Sequence, residues 1–272
     1  MAASPVHLLE AGLVTEQRFA ALVGGPAALG SAMVETLKPA KHVRIAFNHR
    51  DRWLTAARET CRDLSDAVCA SLRSGALPVI CGGECTLVAG SIQGALQVEP
   101  DLLLVYLDAH GDFNTLATTP THFVGGMCLA HVCGKQVAAL LWPGVKKMPE
   151  EQVILVGGRE LDPGEAGNLS RSHVGRVPFD AGHPDAPGLL ALVRRRPVWI
   201  HVDLDVVDPR ELGAVVTPVE GGPPLSALET LLAQIASVSD VRGIELCGYD
   251  PSKDAGSMLP GALARTVSAA LA

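Results

Sequence analysis

The sequence predicts an α/β fold with a mostly parallel central sheet. Short runs rich in apolar and β-branched residues alternate with longer segments whose apolar residues recur at helical spacing, which is the rhythm of βαβ units. Two of the apolar runs, residues 102–107 and 198–202, end directly in acidic residues. Because open α/β sheets bind ligands at the carboxyl ends of their strands, a functional site is expected there.

Six strands and three helices follow from this pattern. Strands are predicted at residues 42–47, 77–81, 102–107, 153–156, 198–202 and 241–246. Helices are predicted at residues 53–74, where Gly75 ends the helix, at 225–238 and at 258–271. Residues 181–188 contain glycine and proline and are predicted to form a surface loop, not a domain boundary. Residues 1–272 are therefore expected to form one domain.

The composition excludes several classes of function. The chain has 272 residues, of which 48% are hydrophobic, and a net charge of −7. An acidic chain offers no basic face for nucleic acid, so the expected partner is a small molecule or another protein. No stretch is expected to supply the roughly 20 apolar residues of a membrane span, and a cytoplasmic protein without a membrane partner is predicted. The seven cysteines lack paired spacing and are expected to be reduced.

The acidic residues at the two strand ends have the spacing of a metal site. In an extended chain, residues two apart point the same way, so Asp108 pairs with His110 and Asp203 with Asp205. With Asp112 they give four carboxylates and one imidazole, which are too many ligands for one ion. These hard ligands suit two Mn²⁺ ions, and such a site makes hydroxide from water.

Several segments resemble the arginase family, the binuclear manganese ureohydrolases, and follow one another in the same order. They are residues 24–29 (GGPAAL), 81–85 (CGGEC), 108–114 (DAHGDFN), 201–209 (HVDLDVVDP) and 243–246 (GIEL). The resemblance spans nearly the whole chain and implies an arginase-like three-layer α/β/α fold. It also implies a small guanidino amino acid as substrate and two Mn²⁺ ions per subunit.

The resemblance also implies roles for individual residues. Asp108 and Asp203 would bridge both manganese ions, Asp112 and Cys85 would complete the coordination of one ion, and His110 and Asp205 that of the other. Glu245 would face the guanidinium carbon, and Asp112 would pass a proton to the departing ornithine nitrogen.

Substrate recognition is expected at residues 157–165, which are similar to the loop that arginases use for the α-amino group. Asp162 would hold the ammonium, whereas Asn114 and Thr121 match positions that meet the α-carboxylate. Thr217 matches another pocket position, which Glu165 would support. Locally, Asp162 followed by proline fits equally well as a helix start with Glu165 as its capping-box partner, and both interpretations are compatible.

The chain departs from the family pattern at two places. Arginases carry aspartate and histidine where this chain has Glu84 and Cys85. Since manganese prefers hard ligands, we expect the ion next to Cys85 to be weakly held; alternatively, Cys85 is a small buried hydrophobe. Gly125 replaces a histidine that shuttles protons, and the nearby His122 is a candidate substitute. Both departures favour a substrate less basic than arginine, such as an Nω-hydroxyguanidine.

Other interpretations stay open. Aspartates at strand ends also cap helices and close turns, and deacetylases that share the fold use a single zinc ion. The chain could also be an arginase, a hydrolase of another guanidino acid, or a non-catalytic binding protein with a degenerate metal site. Family members often form trimers or hexamers, whereas the short segment after Glu245 is compatible with a monomer.

Overall fold

An eight-stranded parallel sheet forms the centre of the molecule. The computed structural model describes residues 4–135, 142, 145–180, 183–184 and 186–271. The strands are β1 Val6–Ala11, β2 Lys41–Ile45, β3 Leu77–Gly82, β4 Leu103–Asp108, β5 Val153–Gly157, β6 Gly175–Val177, β7 Phe179–Asp180, β8 His183–Pro184, β9 Pro197–Asp203 and β10 Asp240–Cys247. Eight of them form one sheet in the order β2-β1-β3-β10-β9-β4-β5-β6, and all its neighbours are parallel.

Helices cover both faces of this sheet. They are α1 Gly25–Leu37, α2 Trp53–Arg73, α3 Val88–Leu96, α4 Cys128–Val132, α5 Pro163–Ser170, α6 Ala186–Val193, α7 Leu225–Val238 and α8 Leu259–Ala269. Residues of α1, α6, α7 and α8 share one apolar core with the sheet, and residues of α2, α3, α4 and α5 share the other. The expected three-layer α/β/α architecture is confirmed.

All six predicted strands and all three predicted helices are present, with ends shifted by at most two residues. The sequence pattern does not predict β1, in which the polar residues His7 and Glu10 interrupt the apolar run. Glu10 is buried, and its carboxylate accepts bonds from His42 and Arg44 of the neighbouring strand β2, which explains how it is tolerated there.

Two other sequence predictions need correction. In the segment 181–188, residues 181, 182 and 185 lie outside the described residues, but β8 and the start of α6 replace much of the predicted loop. In addition, one helical run, Gln17–Leu37, is long and apolar enough to span a membrane by length and composition alone. Its residues Leu29 and Met33 lie in the core against the sheet, which accounts for its apolar character.

A buried histidine in α4 gives the fold an expected sensitivity to acid. The His131 side chain is 1% exposed, and within the described part of the chain neither ring nitrogen has a hydrogen-bond partner. Burial lowers the pKa of His131 to about 4, from 6.5. Because the unfolded chain takes up this proton first, His131 reduces stability as the pH falls below 6.5.

We therefore expect His131→Leu to lose less stability than the wild type on acidification. Between pH 7 and pH 5 the difference should be about 2 kcal/mol in favour of the variant, as follows from the lowered pKa. Urea unfolding of both proteins at the two pH values measures it. Parallel pH profiles would contradict the assignment of this effect to His131.

Candidate metal centre and active site

A cavity of about 200 Å³ opens at the carboxyl ends of the central strands. Ten of the twelve predicted site residues line it: Cys85, His110, Asp112, Asn114, Thr121, Asp162, Glu165, Asp203, Asp205 and Thr217. Asp108 lies just beneath the surface of this cavity and is 1% exposed. The strand ends that the sequence identifies therefore do converge on one site.

Two groups of side chains in this site have the geometry to hold a metal ion. Cys85, Asp108 and Asp203 form one group, and Asp108, His110 and Asp205 form the other, with ligand atoms within 4.8 Å of one another in each. Asp108 belongs to both groups. The Cys85 thiol donates a hydrogen bond of 2.7 Å to Asp203 Oδ2, and His110 Nδ1 lies 3.0 Å from Asp205 Oδ2. Five of the six predicted ligands are thus in place.

The electrostatics of the carboxylates fit bound divalent cations. Burial and the charge of Asp205 raise the pKa values of Asp108 and Asp203 well above their usual range. Asp108 Oδ2 has no hydrogen-bond partner in the described part of the chain. Burial lowers the pKa of His110, but its bonds to Asp108 and Asp205 dominate and raise it to about 12, so the imidazolium partly balances the carboxylates. A pair of divalent ions would supply the missing positive charge.

Asp112 stands beside these groups and not within them. It lines the cavity, and its Oδ2 accepts bonds from the Tyr106 hydroxyl at 2.6 Å and the Cys128 thiol at 3.2 Å. Its backbone φ of 47° lies in the left-handed region, which is strained for a non-glycine residue. Burial raises the pKa of Asp112 to about 7, although the hydrogen bond from Tyr106 acts to lower it. Its carboxyl group is therefore suited to exchange protons near neutral pH.

Arg159 supports the loop that follows β9 and contains Asp205. The turn after β5, in which Gly157 and Gly158 adopt positive φ, brings its guanidinium group beneath that loop. The group donates bonds of 2.7 to 3.1 Å to four backbone carbonyls, those of Asp205, Val206, Val219 and Glu220. Thr217, a predicted pocket residue, donates to Asp205 Oδ2 at 2.9 Å. Both residues orient the Asp205 segment.

Arg159→Lys is expected to weaken Mn²⁺ binding about 10- to 100-fold, as is typical for the loss of a residue that orients metal ligands. A lysine ammonium has three donors and no planar fork, so it cannot reproduce the four bonds. Isothermal titration with Mn²⁺ measures the change. Arg210→Lys is the matched control, since Arg210 is an exposed residue of the same loop whose ion pair with Asp208 contributes little. Equal effects of the two substitutions would contradict the role of Arg159.

Hydrogen bonds connect three of the residues expected at the amino-acid end of a substrate, namely Asn114, Asp162 and Glu165, with their neighbours. Asn114 Nδ2 donates to Asp162 Oδ2 at 2.9 Å. Glu165 accepts bonds from the backbone N–H groups of Phe113 and Asp162, so it joins the two segments. Asp162 is also the N-cap of α5, with Pro163 in the first turn and Glu165 in the capping-box position. The local prediction of a helix start is therefore confirmed, and the same residues line the cavity.

Glu245 does not reach the cavity. Its side chain is 0% exposed, and Oε1 lies 2.7 Å from His201 Nδ1. In the sheet, Glu245 is in register with His201, whereas Cys247, two residues later, is in register with Asp203. Glu245 thus lies one layer below the metal ligands. The Glu245 side chain therefore does not lie where it could face a guanidinium carbon in the cavity, contrary to the expectation from the sequence.

The proton-shuttle candidate His122 is exposed and does not line the cavity. Gly125 does line the cavity, but a Cβ added there would collide with the Phe123 ring, which packs on Phe19 at a centroid distance of 4.4 Å. The aromatic ring therefore occupies the space that a side chain at position 125 would need.

Sequence reasoning missed several residues of the site. Tyr106 stacks on His201 with a centroid distance of 4.1 Å, and both lie one layer below the acidic ligands. Cys128 and Cys247 bring two further thiols close to Cys85. The sequence signal was present for His201 and Cys247, because each lies two residues from a residue that the motifs include and therefore points the same way.

Comparisons with known proteins agree with this geometry. The chain is 35% identical over 177 residues to the N(omega)-hydroxy-L-arginine amidinohydrolase of Streptomyces lavendulae, covering 63% of this chain and 62% of that protein. It is 29% identical over 212 residues to an arginase of Eremothecium gossypii, covering 72% and 52% of the two chains. The matched part is thus less than two thirds of the length of either relative.

The fold is also similar to that of solved arginase structures. The crystal structure of an arginase from Bacillus cereus superimposes with a TM-score of 0.89, at 22% identity and with 98% of each chain covered. The model of the arginase family matches residues 22–272. By this match over nearly its whole length, the chain belongs to the arginase family.

Proposed function

We propose that this protein is a metal-dependent hydrolase that converts Nω-hydroxy-L-arginine to hydroxyurea and L-ornithine, as a step in D-cycloserine biosynthesis. The observation that carries the proposal is the convergence of two metal-compatible groups, sharing Asp108, on the cavity that also contains Asp162. One end of this cavity is suited to a guanidine-derived group and the other to an amino acid.

The chemistry requires an activated water molecule and a proton for the leaving nitrogen. Two divalent ions, for which the family implies Mn²⁺, would be held by Asp108, Asp203, His110, Asp205 and Cys85, and when bound they polarise the substrate and lower the pKa of water. Asp112 would carry the proton, since its carboxyl group lines the cavity and is held by the hydrogen bond from the Tyr106 hydroxyl. The proton then goes to the ornithine nitrogen as the C–N bond breaks.

The first metal group supports a hydroxylated substrate. Cys85 gives this group a thiol where a hard ligand would hold Mn²⁺ more firmly. An Nω-hydroxyguanidine is less basic than arginine and is more easily neutral at pH 7, so it demands less from the metal pair. The similarity to the Streptomyces lavendulae amidinohydrolase supports the same choice.

Hydrolysis of L-arginine is the second candidate. The carboxylates and Asp162 would serve arginine as well, and the arginase of Eremothecium gossypii is also similar to this chain. A non-catalytic binding protein is a weaker candidate, because it leaves the raised pKa of Asp112 and the paired carboxylate groups without a use.

Asp162→Ala tests the placement of the amino-acid end. We expect the KM for Nω-hydroxy-L-arginine to rise about 10- to 100-fold, since a hydrogen bond to a charged group contributes about 1.5–3 kcal/mol. Turnover of the analogue of Nω-hydroxy-L-arginine that lacks the α-amino group should change little in this variant. Steady-state ornithine release for the first substrate, and hydroxyurea release for both, measure the difference.

Asp162→Ser is the control for the structural role of this residue. Serine keeps an N-cap acceptor for α5 but has no negative charge. We expect its KM to match that of the alanine variant. A wild-type KM in Asp162→Ser would mean that Asp162 acts only as a helix cap.

A further inference from the structure

Two thiols and one imidazole meet directly below the carboxylate groups. Ligand atoms of Cys85, His201 and Cys247 all lie within 4.8 Å of one another. Asp203 borders them, with its Oδ2 2.7 Å from Cys85 Sγ and 3.6 Å from Cys247 Sγ. We call these four residues the thiol cluster. His201 and Cys247 are fully buried, and neither is one of the expected manganese ligands.

Two distances within the thiol cluster match the spacing of ligands around a four-coordinate ion. Cys247 Sγ lies 3.6 Å from His201 Nε2. With metal–sulfur and metal–nitrogen bonds of about 2.3 and 2.0–2.1 Å, two ligands of a tetrahedral zinc ion are about 3.5 Å apart. The same spacing separates Cys247 Sγ from Asp203 Oδ2. The Cys85–Asp203 contact of 2.7 Å has to open, and it can, because the thiol proton that holds it would leave on metal binding.

Glu245 supplies the outer support that metal-binding histidines commonly have. A carboxylate can only accept a hydrogen bond, so His201 donates to Glu245 through Nδ1, at 2.7 Å. This bond leaves the lone pair of Nε2 directed toward Cys247. Tyr106 stacks on the ring with an interplanar angle of 2°, which fixes its orientation. The imidazole is therefore held in the tautomer and the position that a metal ligand needs.

Stability alone does not account for this arrangement. A buried histidine–glutamate pair carries a desolvation cost, and apolar residues of similar volume would be at least as stable. Here the pair is 0% exposed, and one oxygen of Glu245 has no partner in the described part of the chain. A bound cation next to His201 would give the pair a purpose.

We propose that the thiol cluster binds a soft divalent cation, above all Zn²⁺, through Cys85, Cys247, His201 and Asp203, with Glu245 as the positioning residue of His201. Thiolate and imidazole ligands select zinc over manganese. Each cysteine releases its proton to solvent when the ion binds. Cys85 is half-buried and lines the active-site cavity, so an ion would reach the thiol cluster through this cavity. Cys85 and Asp203 also belong to the group with Asp108, so Zn²⁺ in the thiol cluster would take the place of the Mn²⁺ ion next to Cys85. The inference concerns this choice of metal and does not depend on the proposed substrate.

Co²⁺ is the probe for this site, because cobalt–thiolate bonds absorb in the near ultraviolet. Chelator-treated full-length protein, kept reduced, is titrated with Co²⁺, and Zn²⁺ is then added in competition. We expect a charge-transfer band in the wild type that Zn²⁺ removes. Cys247→Ala and Cys85→Ser should each lose about half of the band, one of two thiolates, and should bind Zn²⁺ more than about 100-fold more weakly. Glu245→Gln should keep the band but weaken Zn²⁺ binding about 10- to 100-fold.

Cys81→Ala is the matched control, since Cys81 is a buried strand cysteine packed in the core on the opposite face of the sheet. It should leave the band unchanged. Absence of a thiolate band in the wild type, or an undiminished band in Cys247→Ala, would overturn the proposal, because Cys85 also belongs to the group with Asp108 and Asp203. A band lost equally in Cys81→Ala would do the same. Because the titration contains no substrate, its failure would leave the hydrolase proposal to be decided by ornithine release.

Discussion

Asp108→Asn is expected to reduce hydrolysis by at least about 10³-fold, the scale on which groups that stabilise developing charge act. Asp108 belongs to both metal-compatible groups, so the substitution weakens the two together. Asparagine has nearly the same shape and removes only the charge. The carboxylates around it should therefore stay in place without holding the ions.

The same substitution should stabilise the metal-free protein. Burial, together with the charges of Asp205 and Asp112, raises the pKa of Asp108, which shows that its ionised form is unfavourable in the empty site. Thermal unfolding measures both effects. At an Mn²⁺ concentration of 100 times the Kd, the wild type should gain about 2.7 kcal/mol, and Asp108→Asn should gain almost nothing. Retained stabilisation by Mn²⁺ in the variant would contradict the role of Asp108.

Glu245→Ala is expected to destabilise the fold by about 1–3 kcal/mol, because it leaves the buried Nδ1–H group of His201 without its acceptor. The effect on KM should be small, since the carboxylate does not line the cavity. Urea unfolding and steady-state kinetics of the remaining folded enzyme measure the two quantities separately.

Glu245→Gln is the control, because its amide oxygen still accepts the bond from His201 Nδ1. We expect it to lose much less stability than the alanine variant. Equal stability of Glu245→Ala and the wild type would show that the pair does not hold this layer together. A rise in KM without a loss of stability would restore the sequence-based expectation that Glu245 meets the substrate.

The layered sheet explains which of the predicted site residues lie at its carboxyl edge. Asp108 and Asp203 end their strands, so the apolar runs before them fix their position at the carboxyl edge. Glu245 lies inside β10 and not at its end, and the alternation of side chains gives its face but not its depth. Only the register against His201 shows that it lies one layer too low.

The strands show the same limit of local pattern. Strands β4 and β9 are buried along their length and appear as continuous apolar runs, whereas β1 hides Glu10 behind ion pairs with the edge strand β2. That pairing partner is distant in sequence, so no local signal marks β1 as a strand. Likewise, the thiols of Cys128 and Cys247 meet Cys85 only through tertiary packing.

Release of ornithine from Nω-hydroxy-L-arginine and from L-arginine, measured in parallel with and without added Mn²⁺, tests the central claim most directly. We expect metal-dependent turnover with a clear preference, in kcat/KM, for the hydroxylated substrate. Equal or better turnover of arginine would contradict the proposed substrate and identify an arginase, and turnover of neither would contradict the proposed catalysis.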